Sequence, residues 1–160
     1  MLPLILPLLF QVTPVAPIIK GTALPPPDAD TAAVLAPVER MFAGLAAHDA
    51  QAIRAELRPE GGATVAIEQP DGTRTIRHLS WDEFTAGIKP GAEAFEERFT
   101  GPPAVEIDGD IAMVWGPYTF LLDGKPHHCG VDHFDLIHDA GQWKVLNVTW
   151  SQRTTGCEAA

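Results

Sequence analysis

Residues 111–153 read IAMVWGPYTFLLDGKPHHCGVDHFDLIHDAGQWKVLNVTWSQR. Three runs rich in β-branched and aromatic residues are separated by two turn signals. Asp123-Gly124 is a two-residue hairpin turn, and Asp139-Ala140-Gly141 is the second. The stretch therefore predicts an antiparallel meander of three long strands, Ile111 to Leu122, Lys125 to Ile137 and Gln142 to Arg153. Upstream, Asp108-Gly109-Asp110 turns the chain out of shorter strands at Ala94 to Phe99 and Ala104 to Ile107, which Gly101-Pro102-Pro103 separates.

Before the meander the period changes. Val34, Val38, Met41, Phe42 and Leu45 recur at helical spacing over Asp30 to His48. Pro37 fits only within the first turn or so, or as a kink. Asp49 is placed to cap a second helix, Ala50 to Leu57, which Pro59-Glu60-Gly61-Gly62 ends. Ala63 to Gln69 and Thr73 to Leu79 form a hairpin about Pro70-Asp71-Gly72. Ser80-Trp81-Asp82-Glu83 is a capping box opening a third helix, which ends before Lys89-Pro90-Gly91. Helices and strands segregated in this way mean an α+β fold.

The quoted motifs also carry a resemblance. Ile107 to Ala112, Trp115-Gly116-Pro117-Tyr118-Thr119-Phe120, His128-Cys129-Gly130-Val131-Asp132 and Gly141-Gln142-Trp143-Lys144-Val145 resemble the nuclear transport factor 2-like, or SnoaL-like, superfamily, in its lumazine-binding-like branch. The resemblance spans about residues 30 to 153. It implies a cone-shaped, cystatin-like fold, with three N-terminal helices against a curved, mostly antiparallel sheet around a conical pocket, and usually a homodimer. It does not fix a function, because this fold hosts isomerases, dehydratases, cyclases, binders and scaffolds.

The composition limits the partners. The 160 residues carry 11 Lys+Arg against 21 Asp+Glu, a formal charge of −10. That balance argues against nucleic acid and against an anionic membrane surface. No stretch reaches the roughly 18 uninterrupted apolar residues of a membrane span. Residues 1–10, MLPLILPLLF, have the length of a signal-peptide core, and Gly21-Thr22-Ala23 has the small-x-small pattern of a cleavage site, although no Lys or Arg precedes the run. The expected organisation is a signal peptide over 1–23, a Pro-rich linker over 24–29, one domain over 30–153 and a tail over 154–160. The expected location is periplasmic or secreted, with the cytoplasm as the alternative. Cys129 and Cys157 would pair in an exported protein and stay free in a cytosolic one.

Strand alternation assigns the faces. With Leu122 opposite Lys125 and Ile137 opposite Gln142, Thr119 opposes His128, Trp115 and Asn147 both oppose Asp132, and Asp135 opposes Lys144. One face then carries Trp115, Thr119, His128, Asp132, Phe134, Trp143, Val145 and Asn147. Its polar end, beside an aromatic wall, has the profile of a small-molecule pocket. The other face carries Ala112, Val114, Tyr118, Cys129, Val131, His133, Leu146, Val148 and Trp150. It is also apolar, so a second subunit is its simplest cover. A bulge near Pro117 or Gly130 would bring Tyr118 into the pocket and take His128 out.

Asp132 is the candidate general acid/base, because burial raises a carboxyl's pKa toward neutrality. The competing role is a structural hydrogen bond to Asn147 or to backbone. His128, about 13 Å away along the strand, brackets the same ligand or sits structurally at the rim. Trp115, Tyr118 and Asn147 are the candidate ligand contacts. His127, Cys129 and His133 span about 20 Å, which argues against a metal centre. There is no cofactor motif such as a P-loop or G-x-G-x-x-G. The expectation is therefore a pocket for a small, mostly apolar molecule without cofactor or metal, the alternative being an isomerase, cyclase or dehydratase acting through Asp132.

Overall fold

A computed structural model of the chain describes residues 29–91 and 93–157; the expected signal peptide, nearly all of the linker and the last three tail residues lie outside them. Helix α1, Ala29–Ala46, turns Val34, Val38 and Met41 inward, all buried. Pro37 lies well inside it rather than in its first turn, and the helix runs on through a proline that is itself buried. Losing one backbone hydrogen bond is offset there by core packing. The Arg40 guanidinium grips Glu56 with two bonds, Nε to Oε1 at 2.9 Å and Nη2 to Oε2 at 2.8 Å, a bidentate pair that ties α1 to the chain entering the sheet.

Asp49 caps α2, Ala50–Arg54, its Oδ1 accepting from the amides of Gln51 and Ala52. This helix is shorter than expected. Pro59 to Gly62 do not form a loop but lie in β1, Leu57–Glu68. Gly61 has a packing reason to be there: a Cβ on it would lie 1.5 Å from the Leu146 carbonyl oxygen. A segment that reads as a helix breaker is thus where two strands approach closely.

β1 pairs with β2, Arg74–Ser80, in the expected hairpin, from Gly62 opposite Ser80 to Glu68 opposite Arg74. The capping box then starts α3, Trp81–Ala86, with Ser80 Oγ accepting from the Glu83 amide and Glu83 Oε2 accepting from the Ser80 amide. Trp81 is buried and donates its indole N–H to the Arg58 carbonyl at 2.8 Å.

Five more strands follow: β3 (Phe95–Phe99), β4 (Ala104–Asp108), β5 (Ile111–Leu122), β6 (Lys125–Asp139) and β7 (Gln142–Arg153). The sheet order is β2-β1-β7-β6-β5-β3, with β4 sharing the β5 edge. All pairings are antiparallel except β1 with β7. The core lies between the helices and one face of this sheet. Among the described residues no helix is long and apolar enough to cross a membrane.

The meander is present, but its register differs from the expected one at two places. Leu122 opposes Lys125 as expected, and Leu121 opposes Pro126, but Phe120 opposes His128. His127 is thus an extra residue, next to a proline that cannot donate to the ladder. The second turn is tighter than expected: Asp139 opposes Gln142, with Ala140 and Gly141 both at positive φ (50° and 80°), a two-residue hairpin loop. Lys144 therefore opposes Ile137 rather than Asp135, and its Nζ donates to the Ala55 carbonyl. Leu136 opposes Val145 while Asp135 opposes Asn147, so Leu146 is a second extra residue. Each insertion flips the remainder of its strand relative to its neighbour. Val114, Tyr118, Val148 and Trp150 consequently share the helix-facing side with Asp132 and Phe134, while Trp115 faces away.

Candidate functional site

Between the helices and the sheet lies a cavity of about 220 Å³. Met41, Phe42 and Leu45 of α1 and Phe84 of α3 form its helical wall. Phe120, His128, Phe134, Val148 and Trp150 line the sheet side, and Gln152 adds an amide. The rings make an edge-to-face series: Phe42 stands 6.0 Å from Phe134, and Phe84 stands 6.1 Å from Trp150. Such packing holds the walls in place.

Two carboxyl groups enter this apolar space, Asp132 from β6 and Glu97 from β3. Asp132 is only 2% exposed. Glu97 keeps partial exposure, facing the cavity that it lines. The two carboxyls act on each other's ionisation, and a hydrogen bond between two carboxyls needs a proton on one member. The buried Oδ2 of Asp132 meets no amide, hydroxyl or amine donor of the described residues, so nothing else stabilises a negative charge there. Burial is the main force on both groups, and mutual repulsion adds to it for Asp132. Glu97 is pushed up to about 7 and Asp132 to about 9. The pair therefore carries a proton at neutral pH.

Tyr118 packs beside the pair, its hydroxyl donating to the Ser151 carbonyl at 3.1 Å. Burial, and then the neighbouring Glu97 and Asp132, raise its pKa, so it stays a neutral phenol. His128 stacks on Phe120, with centroids 4.6 Å apart and planes at 16°. Burial first and His127 second push its pKa down to about 4, so it is a neutral imidazole. Its Nδ1 lies 2.9 Å from that of His127.

Asp132 and His128 thus line one cavity, and Tyr118 adjoins it. Trp115 does not: it is 50% exposed on the outer side of β5, 5.7 Å from the His133 ring. Nor does Asn147, whose Oδ1 accepts from the Gly62 amide at 3.2 Å and so holds β1 to β7. Both corrections follow from the two inserted residues. Cys129 is bonded to Cys157 and is not a free thiolate ligand. Sequence reasoning missed Glu97, Phe120 and Trp150. A signal for Glu97 exists: Phe95 and Phe99 flank it at alternate positions, which puts Glu97 on the apolar face of that strand.

A pH signature follows. Both folded pKa values lie above their unfolded values near 4. The stability the pair contributes is present below about pH 4 and is lost as pH rises through about 7 and about 9. Replacing Asp132 with Asn should remove much of this decline. Urea titrations from pH 5 to 9 should show the variant gaining on the wild type, by up to about 1.4 kcal/mol per pH unit where one proton is involved. A constant difference would contradict a protonated pair.

The family described as "Putative lumazine-binding" matches residues 29–151. No curated protein matches the chain. Solved structures are similar to the chain as well, and three illustrate the likeness. The first is a "Putative calcium/calmodulin dependent protein kinase II association domain" from Xanthomonas campestris, at 21% identity and TM-score 0.61, covering 81% of this chain and 91% of that one. The second is a protein of unknown function with a cystatin-like fold from Nostoc punctiforme, at 12% identity and TM-score 0.58, covering 80% and 95%. The third is an NTF2-like protein with a cystatin-like fold from Novosphingobium aromaticivorans, at 14% identity and TM-score 0.57, covering 81% and 84%. At these identities the likeness is one of fold, the NTF2-like, cystatin-like α+β cone.

Proposed function

We propose, for a chain that belongs to the family described as "Putative lumazine-binding", that it is an exported homodimer binding one small, mostly apolar molecule in the cavity. The observation that carries this reading is the cavity itself: about 220 Å³, walled by rings and aliphatic chains, with a few polar groups converging on it. An apolar cavity of about 150 Å³ already accepts benzene, so one or two fused rings are a fitting size. A thermal-shift screen of aromatic and polyketide-like compounds, lumazine included, tests it. Some compounds should raise the wild-type melting temperature, and filling the cavity with Gln152→Trp should remove the shift. A shift that survives the filled cavity, or none for any compound, rejects the reading.

A second reading has its own observation, the Asp132 carboxyl and the His128 imidazole lining one apolar space, where burial favours the neutral form of each. In it Asp132 is the general acid/base of an isomerase, cyclase or dehydratase. His128 donates to the developing oxyanion, since the Tyr118 hydroxyl is engaged by Ser151 and Asn147 by Gly62. Asp132→Asn separates the readings: retained ligand with lost turnover favours catalysis, and unchanged turnover removes it.

The disulfide supports export, because a reducing cytosol keeps thiols free. The outer face of β5 supports a dimer, as Ile111 and Trp115 are 56% and 50% exposed with Met113 between them. Trp115→Glu is expected to convert the dimer to a monomer in sedimentation equilibrium. A monomeric wild type would remove this surface as an interface.

A further inference from the structure

The cavity that the small-molecule reading relies on has one sign of charge. Among the described residues no Lys or Arg lines it, whereas Glu97 and Asp132 both do. Asp132 is 98% buried, and its Oδ2 finds no amide, hydroxyl or amine donor. An ionised carboxyl so placed is costly unless a cation joins it. The rings of Phe42, Phe84, Phe120, Phe134 and Trp150 border the same space, and aromatic faces attract cations. The chain's net charge of −10 draws cations toward it. We propose that the cavity selects an organic cation, a protonated aromatic or alicyclic amine, whose ammonium group sits between the carboxyls of Asp132 and Glu97.

The neighbouring titratable groups leave this position to the ligand. Tyr118 of β5 donates its hydroxyl hydrogen bond to the Ser151 carbonyl, and His128 of β6 is neutral. Arg153 of β7 acts on Tyr118 but is exposed. Helices α1 and α3 present only apolar side chains to the cavity. When the ammonium enters, the proton held by the two carboxyls leaves for the solvent. Binding therefore releases a proton, and acid competes with it.

The test uses three probes of one size and different charge: 2-phenylethylamine, 2-phenylethanol and phenylacetate. Calorimetry on the full chain at pH 7.5 should show the amine binding at least tenfold tighter than the alcohol, and no binding of phenylacetate. Paired buffers of different ionisation heat should report close to one proton released. Amine affinity should fall by up to tenfold per pH unit from about pH 9 to 7, and by up to about a hundredfold per unit below that, where both carboxyls hold a proton. Asp132→Asn and Glu97→Gln, made separately so that one misfolded variant does not decide the matter, should each bring the amine-to-alcohol ratio toward one. The inference rests on the small-molecule reading, and the two fail differently. An alcohol that binds as well as the amine, or an amine that fails while any other compound binds, overturns the cation inference alone. Failure of every compound removes both.

Discussion

Replacing Gly130 with alanine should destabilise the protein by about 3 kcal/mol or more, at the upper end of overpacking. The Cβ would lie 1.9 Å from the Ser151 carbonyl oxygen and 2.7 Å from its carbonyl carbon. Both are backbone atoms of a neighbouring strand, so no side-chain rotation relieves the clash. The same carbonyl accepts the Tyr118 hydroxyl at 3.1 Å, and Ser151 Oγ accepts the Val131 amide at 3.0 Å. Pushing β7 away from β6 would break both bonds, beside the carboxyl pair. Gly101 serves as the control, because a Cβ there meets nothing within 4 Å, and Gly101→Ala should stay within about 0.5 kcal/mol. Urea unfolding of the two variants measures the contrast, and similar stabilities would refute the close strand contact.

Removing the Cys129–Cys157 bond should have a comparable effect. It joins positions 28 apart, with Cα atoms 5.6 Å from each other. Closing a loop of that length restricts the unfolded chain by about 3.5 kcal/mol in the chain-entropy description. Cys129 directly follows His128, so the bond also fastens the C-terminal segment behind the cavity wall. The double variant Cys129→Ser/Cys157→Ser, compared with the oxidised wild type in urea, should lose most of that stability. A loss under about 1 kcal/mol would show that the bond does not constrain the chain.

How much of this was legible in the sequence depends on how local each signal is. The Asp49 cap, the Ser80/Glu83 capping box and the hairpin at Asp123-Gly124 each rest on a few adjacent residues, and each stands where it was read. Pro59 to Gly62 misled because a glycine that breaks a helix and one that admits a neighbouring backbone look alike in one dimension. The pocket was half legible. Asp132 and His128 are on it, but Trp115 and Asn147 are not, because side-chain parity accumulates along a strand and two single-residue insertions, at His127 and Leu146, reverse it. Neither insertion has a sequence signature beyond the neighbouring Pro126. Glu97 was hidden for another reason: its partner lies across two strands, and carboxyl pairing leaves no spacing motif.

An acid/base role needs a proton held on Asp132 or Glu97 inside the apolar cavity. Carboxyl carbon shifts of ¹³C-labelled Asp and Glu, followed by NMR from pH 3 to 10, read that proton directly. One Asp and one Glu carboxyl signal should stay in the protonated range past pH 5 and titrate in the neutral-to-alkaline range; Asp132→Asn should remove the Asp signal and leave the Glu97 signal raised by burial. If every Asp and Glu carboxyl instead titrates near pH 4, the pair is ionised, and both the acid/base role and the release of a proton on cation binding lose their basis.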